Sequence, residues 1–233
     1  RVADLSNPIL QPWAKEELRK ANDRALSGKP AYTPKERCWP IGVPGWMLYP
    51  VTPVYFLQTP NVVTMIWQED HMVRHIYLTD KHSDQVKPSW FGESIGHYEN
   101  GDTLVIDTIG FKPGPNAMID NYGTPFSAQL HLVERIRLID GAAATRAAEQ
   151  AERDSGRVDV EMGGASIDPG YKGRGLQIYF TVDDPDVFTK PWSAQVTYRR
   201  SAGAWEERVC ADNPHNYTTG ADVPVPHATK PDF

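Results

Sequence analysis

Short segments in which apolar and polar residues alternate follow one another along this chain, and they limit its fold more than any other feature. About nine are present: VYFLQT, NVVTMIWQE, MVRHIYLTD, ESIGHYEN, GDTLVIDTIGF, QLHLVERIRLID, GLQIYFTVD, SAQVTYRR and WEERVC. A period of two is typical of β-strands with one buried face. Mostly short connections favour an antiparallel meander that closes into a barrel or folds into a sandwich. We therefore expect an all-β fold, an antiparallel up-and-down barrel.

The remaining segments predict what surrounds these strands. Residues 11–27 carry apolar side chains at approximately helical spacing and predict an N-terminal helix. The stretch from 38 to 53 is rich in Pro, Gly and aromatic residues and indicates an ordered, irregular wrap. We expect a single domain over 1–233, with helix and wrap in 1–53, barrel strands in 54–140 and 173–210, a polar insertion with a short helix in 141–172, and a tail in 211–233.

Composition excludes several partners. The net charge is −6, and no basic block is interleaved with aromatic residues, so we expect no nucleic-acid partner. The apolar runs are too short to span a bilayer, so we expect no membrane partner. No Gly-rich phosphate loop and no Gly-x-Ser-x-Gly nucleophile motif occur, and we expect no cofactor. The oligomeric state stays open.

The clearest hairpin turns at Asn100-Gly101, the preferred pair for a two-residue type I′ turn. That turn predicts that Glu99 pairs with Asp102 and that Ser94 pairs with Asp107. One face of the hairpin would then hold Ile95, His97, Leu104 and Ile106, and the other would hold Ser94, Gly96, Tyr98, Val105 and Asp107. Either face could be internal, and the second would place an acid inside the barrel.

Glu134 is the strongest candidate for a functional residue. Leu130, Leu132, Ile136 and Leu138 share its side of the strand, so the pattern places a carboxylate on a core face. A buried carboxylate must be paired or protonated. Arg74 has the same parity as Ile76 and Leu78 and is the leading candidate partner. Such a pair is either a structural tie or a site for an anionic or carbonyl-bearing ligand.

Histidines and a long loop supply further candidates. His71 lies in the EDHM turn, where it could assist catalysis or serve only as a turn residue. No spacing matches a zinc signature, and we predict no metal site. The segment from Phe111 to Ser127 is too long for a tight turn, and we predict an ordered lid over the cavity. Candidate ligand-binding residues are Trp67, Tyr98, His97, Asp120, Tyr122 and His131, and the abundant aromatic residues favour a small apolar or aromatic ligand.

Only two cysteines occur, Cys38 and Cys210. A disulfide between them would close most of the chain, and the alternative is two buried free thiols. The chain starts at Arg1 without a signal peptide, which fits a processed secreted protein and also an arbitrarily trimmed one. We expect the bonded form and a secreted or periplasmic location.

Several motifs resemble a large family of uncharacterised secreted bacterial proteins. They are WFGESIGHYENGDTLVIDTIGF, DNYGTPFSAQLHLVERIRLID, DDPDVFTKPW, VRHIYLTD and ERCWPIGVPGWMLYP, and the resemblance covers Trp13 to Cys210 without 141–172. It implies no particular reaction. His97 stands where the family often has arginine, and Phe126 stands where it often has histidine. The GHYENGDTL turn and the meander are also similar to lipocalin-like barrels, which implies an internal ligand cavity.

Three functional hypotheses follow. The first is a cofactor-independent lyase, isomerase or hydrolase, in which Glu134 or Asp107 moves a proton, Arg74 stabilises negative charge and His71 assists. The second is a secreted small-molecule-binding protein without catalysis. The third is a structural or interaction domain whose barrel is filled by side chains. An acid reachable by solvent beside His or Arg would favour the first.

Overall fold

The computed structural model describes residues 3–29, 39–48, 53–69, 72–114, 117–120, 122–155, 170–200, 205, 209, 215–216 and 221–222. The predicted N-terminal helix is present as α1, and a second helix, α2, begins the predicted insertion. The elements are α1 (Pro12–Leu26), a 3-10 helix (Gly45–Leu48), β1 (Val54–Gln58), β2 (Val62–Trp67), β3 (Val73–Tyr77), β4 (Glu93–Glu99), β5 (Thr103–Ile109), β6 (His131–Ile139), α2 (Gly141–Ser155), β7 (Gly175–Asp183), β8 (Trp192–Tyr198), β9 (His215–Asn216) and β10 (Ala221–Asp222).

Strands β1 to β8 form one sheet in the order of the sequence. Every neighbouring pair is antiparallel except β3 and β4, which run parallel and pair only at Ile76–Ser94 and Tyr77–Ile95. The expectation of a wholly antiparallel sheet is therefore wrong at this step. The physical reason is the long connection 78–92, which carries the chain back along β3 before β4 begins.

The sheet curls into a half-barrel, and no pairing between β1 and β8 occurs among the described strands. The 3-10 helix lies at the open side. Its Trp46 ring is 4.4 Å from Trp67 on β2 and 5.8 Å from Tyr198 on β8, measured between ring centroids. Trp46 of the Pro- and Gly-rich wrap thus packs between β2 and β8, where burial of apolar area stabilises the fold.

One hairpin has a different register from the predicted one. Asn100 and Gly101 both have positive φ, as a type I′ turn requires, but Asp102 also belongs to the loop, and pairing starts at Glu99–Thr103. The one-residue shift moves every β5 side chain to the other face relative to β4. Ser94 consequently pairs with Thr108, not with Asp107, and both predicted faces of the hairpin are wrong.

The long loop that follows β5 is anchored in the core. Phe111 and Ile119 are almost fully buried, and Phe111 packs edge-on against Phe126. At its far end the buried Asp184 accepts hydrogen bonds from the Ser127 backbone N–H and hydroxyl, both at 2.7 Å. The described residues of the loop are therefore held against the core at both ends, and its role as an ordered lid stays a prediction.

Helix α1 is anchored through a face slightly rotated from the predicted one. Ala14 and Leu18 are buried, but Trp13 is 45% exposed. Its indole N–H donates to the backbone carbonyl of Asp186. Trp13 fits the predicted helical spacing of residues 11–27 but does not belong to the buried face, because its side chain lies along the surface and bonds to the connection between β7 and β8.

Candidate functional site

The inner face of the sheet carries the predicted pair of Glu134 and Arg74. The guanidinium Nη1 donates to Glu134 Oε1 at 3.0 Å, and Nη2 donates to Oε2 at 2.5 Å. Glu134 is 0% exposed and Arg74 is 1% exposed. The prediction that Arg74 is the partner of this carboxylate is confirmed. Strands β4 and β5 lie between β3 and β6, and the buried Ile106 of β5 pairs with Glu134 in the register.

Two hydroxyl groups complete the surroundings of the arginine. Its Nε donates to Ser94 Oγ at 3.0 Å, Nη2 also donates to Thr108 Oγ1 at 2.9 Å, and the two hydroxyl oxygens are 3.1 Å apart. Burial, and to a smaller extent the negative charge of Glu134, raises the pKa of Tyr198, so this phenol stays protonated at neutral pH. The buried charge is paired and hydrogen-bonded, as burial requires.

The outer face of the same strands holds a second cluster, in which one carboxylate contacts two histidines. Asp107 Oδ1 is 2.8 Å from Nε2 of His82, and Asp107 Oδ2 is 2.8 Å from Nε2 of His131. Burial of Asp107 acts to raise its pKa, but the hydrogen bonds and charges of the two histidines outweigh it, and the pKa is lowered. Asp107 therefore remains an anion that orients both rings.

His82 connects this aspartate to a second acid. Its Nδ1 is 3.1 Å from Glu93 Oε1, so its two ring nitrogens face two carboxylates. Glu93 also accepts the Ser83 hydroxyl at 2.6 Å and the Ser83 backbone N–H at 2.7 Å. These bonds from Ser83, together with His82, lower the pKa of Glu93. The result is a hydrogen-bonded series Glu93–His82–Asp107–His131, which we call the outer relay.

A cleft of about 450 Å³ opens where β3 and β4 separate. Arg74 and Ser94 of the inner cluster line it, and so do Ser83 and Glu93 of the outer relay. The other lining residues come from β3 and from the connection 78–92: Val73, His75, Tyr77, Gln85, Lys87, Ser89, Phe91 and Gly92. The cleft is therefore the place where the two polar clusters come close to one another.

The backbone explains why this cleft exists. With only two paired positions, β3 and β4 leave a gap beside Arg74. Gly92 leads the chain into β4 with a φ of +66°, and a Cβ there would lie 2.5 Å from the carbonyl oxygen of Ile109. A residue with a side chain would be strained at this position, so glycine permits the close approach that starts β4 beside the cleft.

The remaining predicted site residues lie apart from this cleft. Trp67 is buried in the aromatic cluster and stacks on Phe91 at 5.7 Å. Tyr98 and His97 are exposed near the end of the β4–β5 hairpin, with His97 Nε2 at 3.5 Å from Glu99. Asp120 uses its carboxylate inside its own loop, where it accepts hydrogen bonds from Thr124 and neighbouring backbone N–H groups. The side chain of Tyr122 is exposed.

Three predicted residues fall outside the described part of the chain. They are His71, Cys38 and Cys210, so the assisting histidine and the disulfide stay predictions. Among the described residues no group of three or more His, Cys, Asp or Glu side chains could hold a metal ion. Over the same residues, neither helix combines the length and apolar character that crossing a membrane requires.

Sequence reasoning missed three members of the site, His82, Ser83 and Glu93. The pair His82-Ser83 lies between two predicted strands, in a polar stretch that is typical of a turn. Glu93 shares a face with Asp107 only in the observed register, in which Glu93 pairs with Ile109 and Ile95 with Asp107. A correct hairpin register would have placed the two acids on one face, whereas the approach of His82 depends on the path of the 78–92 connection.

Comparison of the chain with protein-family models, with curated proteins and with solved structures finds no match. The functional conclusion therefore depends on the geometry of the cleft and of the two polar clusters.

Proposed function

We propose that the protein is a cofactor-independent acid–base enzyme that acts on a small molecule bound in the β3–β4 cleft. The observation that carries this proposal is the outer relay. It starts at Glu93 in the wall of the cleft and continues through His82 and Asp107 to His131, whose side chain is 40% exposed. Such a series can pass a proton between a bound molecule and solvent.

Each group of the relay has a chemical role in this proposal. Glu93 exchanges the proton with the substrate, because it lines the cleft. His82 donates to both carboxylates when both of its nitrogens are protonated. At rest Asp107 is an anion that orients both rings. During the transfer it takes the Nε2 proton of a His82 that has accepted a proton from Glu93 on Nδ1, and it then gives a proton to Nε2 of His131. His131 exchanges the proton with water. Lyase, isomerase and hydrolase reactions all use such a transfer.

Arg74 supplies the second part of the chemistry. A guanidinium group has five N–H donors, and Glu134, Ser94 and Thr108 accept from four of them among the described residues. The remaining N–H on Nη1 has no acceptor among the described residues, and in this proposal it donates to a substrate oxygen in the cleft that Arg74 lines. A hydrogen bond from a fixed cation stabilises negative charge that develops on such an oxygen. In this proposal Glu134 holds Arg74 in place and transfers no proton.

Hydrogen–deuterium exchange tests the proposal without knowledge of the natural substrate. A panel of small carbonyl compounds is incubated with the protein in D₂O, and NMR follows both conversion and deuterium uptake at the carbon next to the carbonyl. We expect enzyme-dependent exchange for at least one compound. Asp107→Asn and Glu93→Gln should each lower its rate by about 10²-fold or more, in line with general acid–base catalysis.

The control variant is Asp102→Asn, because Asp102 lies in the β4–β5 turn and takes no part in the relay. This variant should catalyse deuterium uptake by the same compound at the wild-type rate. Folding of each variant is checked by circular dichroism. The proposal fails if the folded wild-type protein neither converts any compound of the panel nor catalyses deuterium uptake into one. It also fails if Asp107→Asn catalyses deuterium uptake as fast as the wild type.

One observation favours a second candidate, a small-molecule-binding protein without catalysis. Glu93 accepts two hydrogen bonds from Ser83 and one from His82, and its lowered pKa makes it a weaker base. If this candidate is right, ligands bind in the cleft and are recovered unchanged, and Asp107→Asn binds them as the wild type does.

A further inference from the structure

The charged side chains that line the cleft differ in their partners. Glu93 is paired with His82, and Arg74 is paired with the buried Glu134. Lys87 lines the cleft as well, is exposed, and contacts no acidic side chain among the described residues. The ammonium group of Lys87 therefore has no ion-pair partner among the described residues, and a negative ligand in the cleft would gain a charge-assisted hydrogen bond from it.

The same cleft offers flat apolar surface. Phe91 and Tyr77 line it together with Val73, and Tyr77 and Val73 are exposed on β3. Phe91 is held in position by its stack on the buried Trp67, with an angle of 9° between the ring planes. Aromatic rings that are fixed in this way favour an aromatic partner in offset or edge contact.

We infer that the cleft takes a small aromatic carboxylate, with its ring against Phe91 and Tyr77 and its carboxylate at Lys87. This inference rests on the cleft of the proposed function, but it concerns binding and does not require the chemical step. A volume of about 450 Å³ falls within the range of about 300–1,000 Å³ for small-molecule sites. It accommodates a single substituted ring.

The number of charges explains why a monoanion fits better than a phosphate dianion. Arg74 is already neutralised by Glu134, so Lys87 is the one uncompensated cation of the described lining residues. A second negative charge on the ligand would lie near Glu93 without a cation to balance it, and like charges at short distance are unfavourable. A cationic ligand would be repelled by Lys87.

Matched probes test this inference by isothermal titration calorimetry. Cinnamate, cinnamamide and cinnamylamine share the same aromatic body and differ in charge. We expect cinnamate to bind about tenfold more tightly than the amide, as a partly desolvated charge-assisted contact allows, and the amine to bind most weakly. Lys87→Met should remove most of the preference for the acid and leave the affinity for the amide unchanged.

Lys81→Met is the control, because Lys81 is an exposed lysine of the same connection that does not line the cleft. It should keep the wild-type preference for cinnamate. Equal affinities for acid and amide, an equal effect of Lys81→Met, or no binding of cinnamate at millimolar concentration would each overturn the inference. Asp107→Asn should bind cinnamate normally, so failure of the proposed chemistry and failure of this binding mode give different results.

Discussion

The two polar clusters occupy opposite faces of β4, β5 and β6, and they differ in contact with water. The side chains of Glu134 and Arg74 are buried and form hydrogen bonds to one another. Arg74 also donates hydrogen bonds to two hydroxyl groups. In the outer relay, exposure rises from 17% at His82 to 40% at His131. Both clusters combine acids with basic side chains, yet only the outer one has titratable groups that can exchange protons with solvent.

This difference agrees with a structural role for the inner cluster and with the chemical role that the proposed function gives to the outer relay. A buried ion pair is maintained because neither charge can be left alone, whereas Asp107 and His131 of the outer relay are partly exposed to solvent. Both clusters contribute to the cleft, because Arg74 of the inner cluster and Glu93 of the outer relay line it. Three measurements test this division.

Glu134→Gln should destabilise the protein by about 3–5 kcal/mol, because it leaves the buried Arg74 cation without its counter-charge. Urea unfolding followed by circular dichroism measures the loss. The paired change Arg74→Met with Glu134→Leu should recover most of it, since well-packed apolar residues often replace a buried pair at little cost.

The matched control for that measurement is Arg135→Met, which breaks an exposed contact to Glu99 at 3.7 Å. Its expected cost is under about 1 kcal/mol. A cost of Glu134→Gln that is no greater than the cost of Arg135→Met would show that the inner cluster is not the structural tie we describe.

Acid should act on the outer relay through Glu93 and Asp107. The pKa of each is lowered in the folded protein from ordinary values of 4.5 and 3.8. The two carboxylates therefore contribute their full stabilisation when the pH is above their ordinary pKa values. That stabilisation is lost as the pH falls through their lower pKa values in the folded protein. Over that acidic range the unfolding free energy of the wild-type protein should decrease more steeply than the unfolding free energy of the double variant with Glu93→Gln and Asp107→Asn. Parallel pH curves for the two proteins would contradict this.

The smallest effect concerns the two histidines. His82→Gln should loosen the 78–92 connection, because His82 ties it to both Glu93 on β4 and Asp107 on β5. Amide hydrogen exchange at Ser83, whose N–H donates to Glu93, should become faster. In His131→Gln the same amide should keep its wild-type exchange rate, because His131 belongs to β6 and touches only Asp107 of the relay. Equal exchange in the two variants would remove the distinction between them.

Much of the fold could be predicted from local pattern. The alternation around Leu132, Glu134 and Ile136 indicates an inward carboxylate, and the parity of Arg74 with Ile76 indicates its partner; the structure confirms both. Eight of the predicted strands form the sheet in sequence order. These features depend on periodicity within one strand, which the chain carries residue by residue.

The errors arise where a single added residue or a long connection matters. Asn100-Gly101 indicates the turn correctly, but including Asp102 in the loop reverses which β5 side chains face inward. Local turn preference cannot distinguish a two-residue loop from a three-residue loop here. Packing distinguishes them, because only the observed register places Ser94 on the same buried face as Leu104, Ile106 and Thr108, beside Arg74.

The residue pattern along each strand thus sufficed for a mostly β fold, for the inward position of Glu134 and for its pairing with Arg74. The outer relay and the cleft required the assembled sheet. His82 reaches Asp107 across 25 positions of the chain, and His131 reaches the same carboxylate across 24. Side-chain periodicity is a local property of the backbone, whereas contacts of this kind depend on strand register and on the parallel step between β3 and β4, which the packing of the whole core selects.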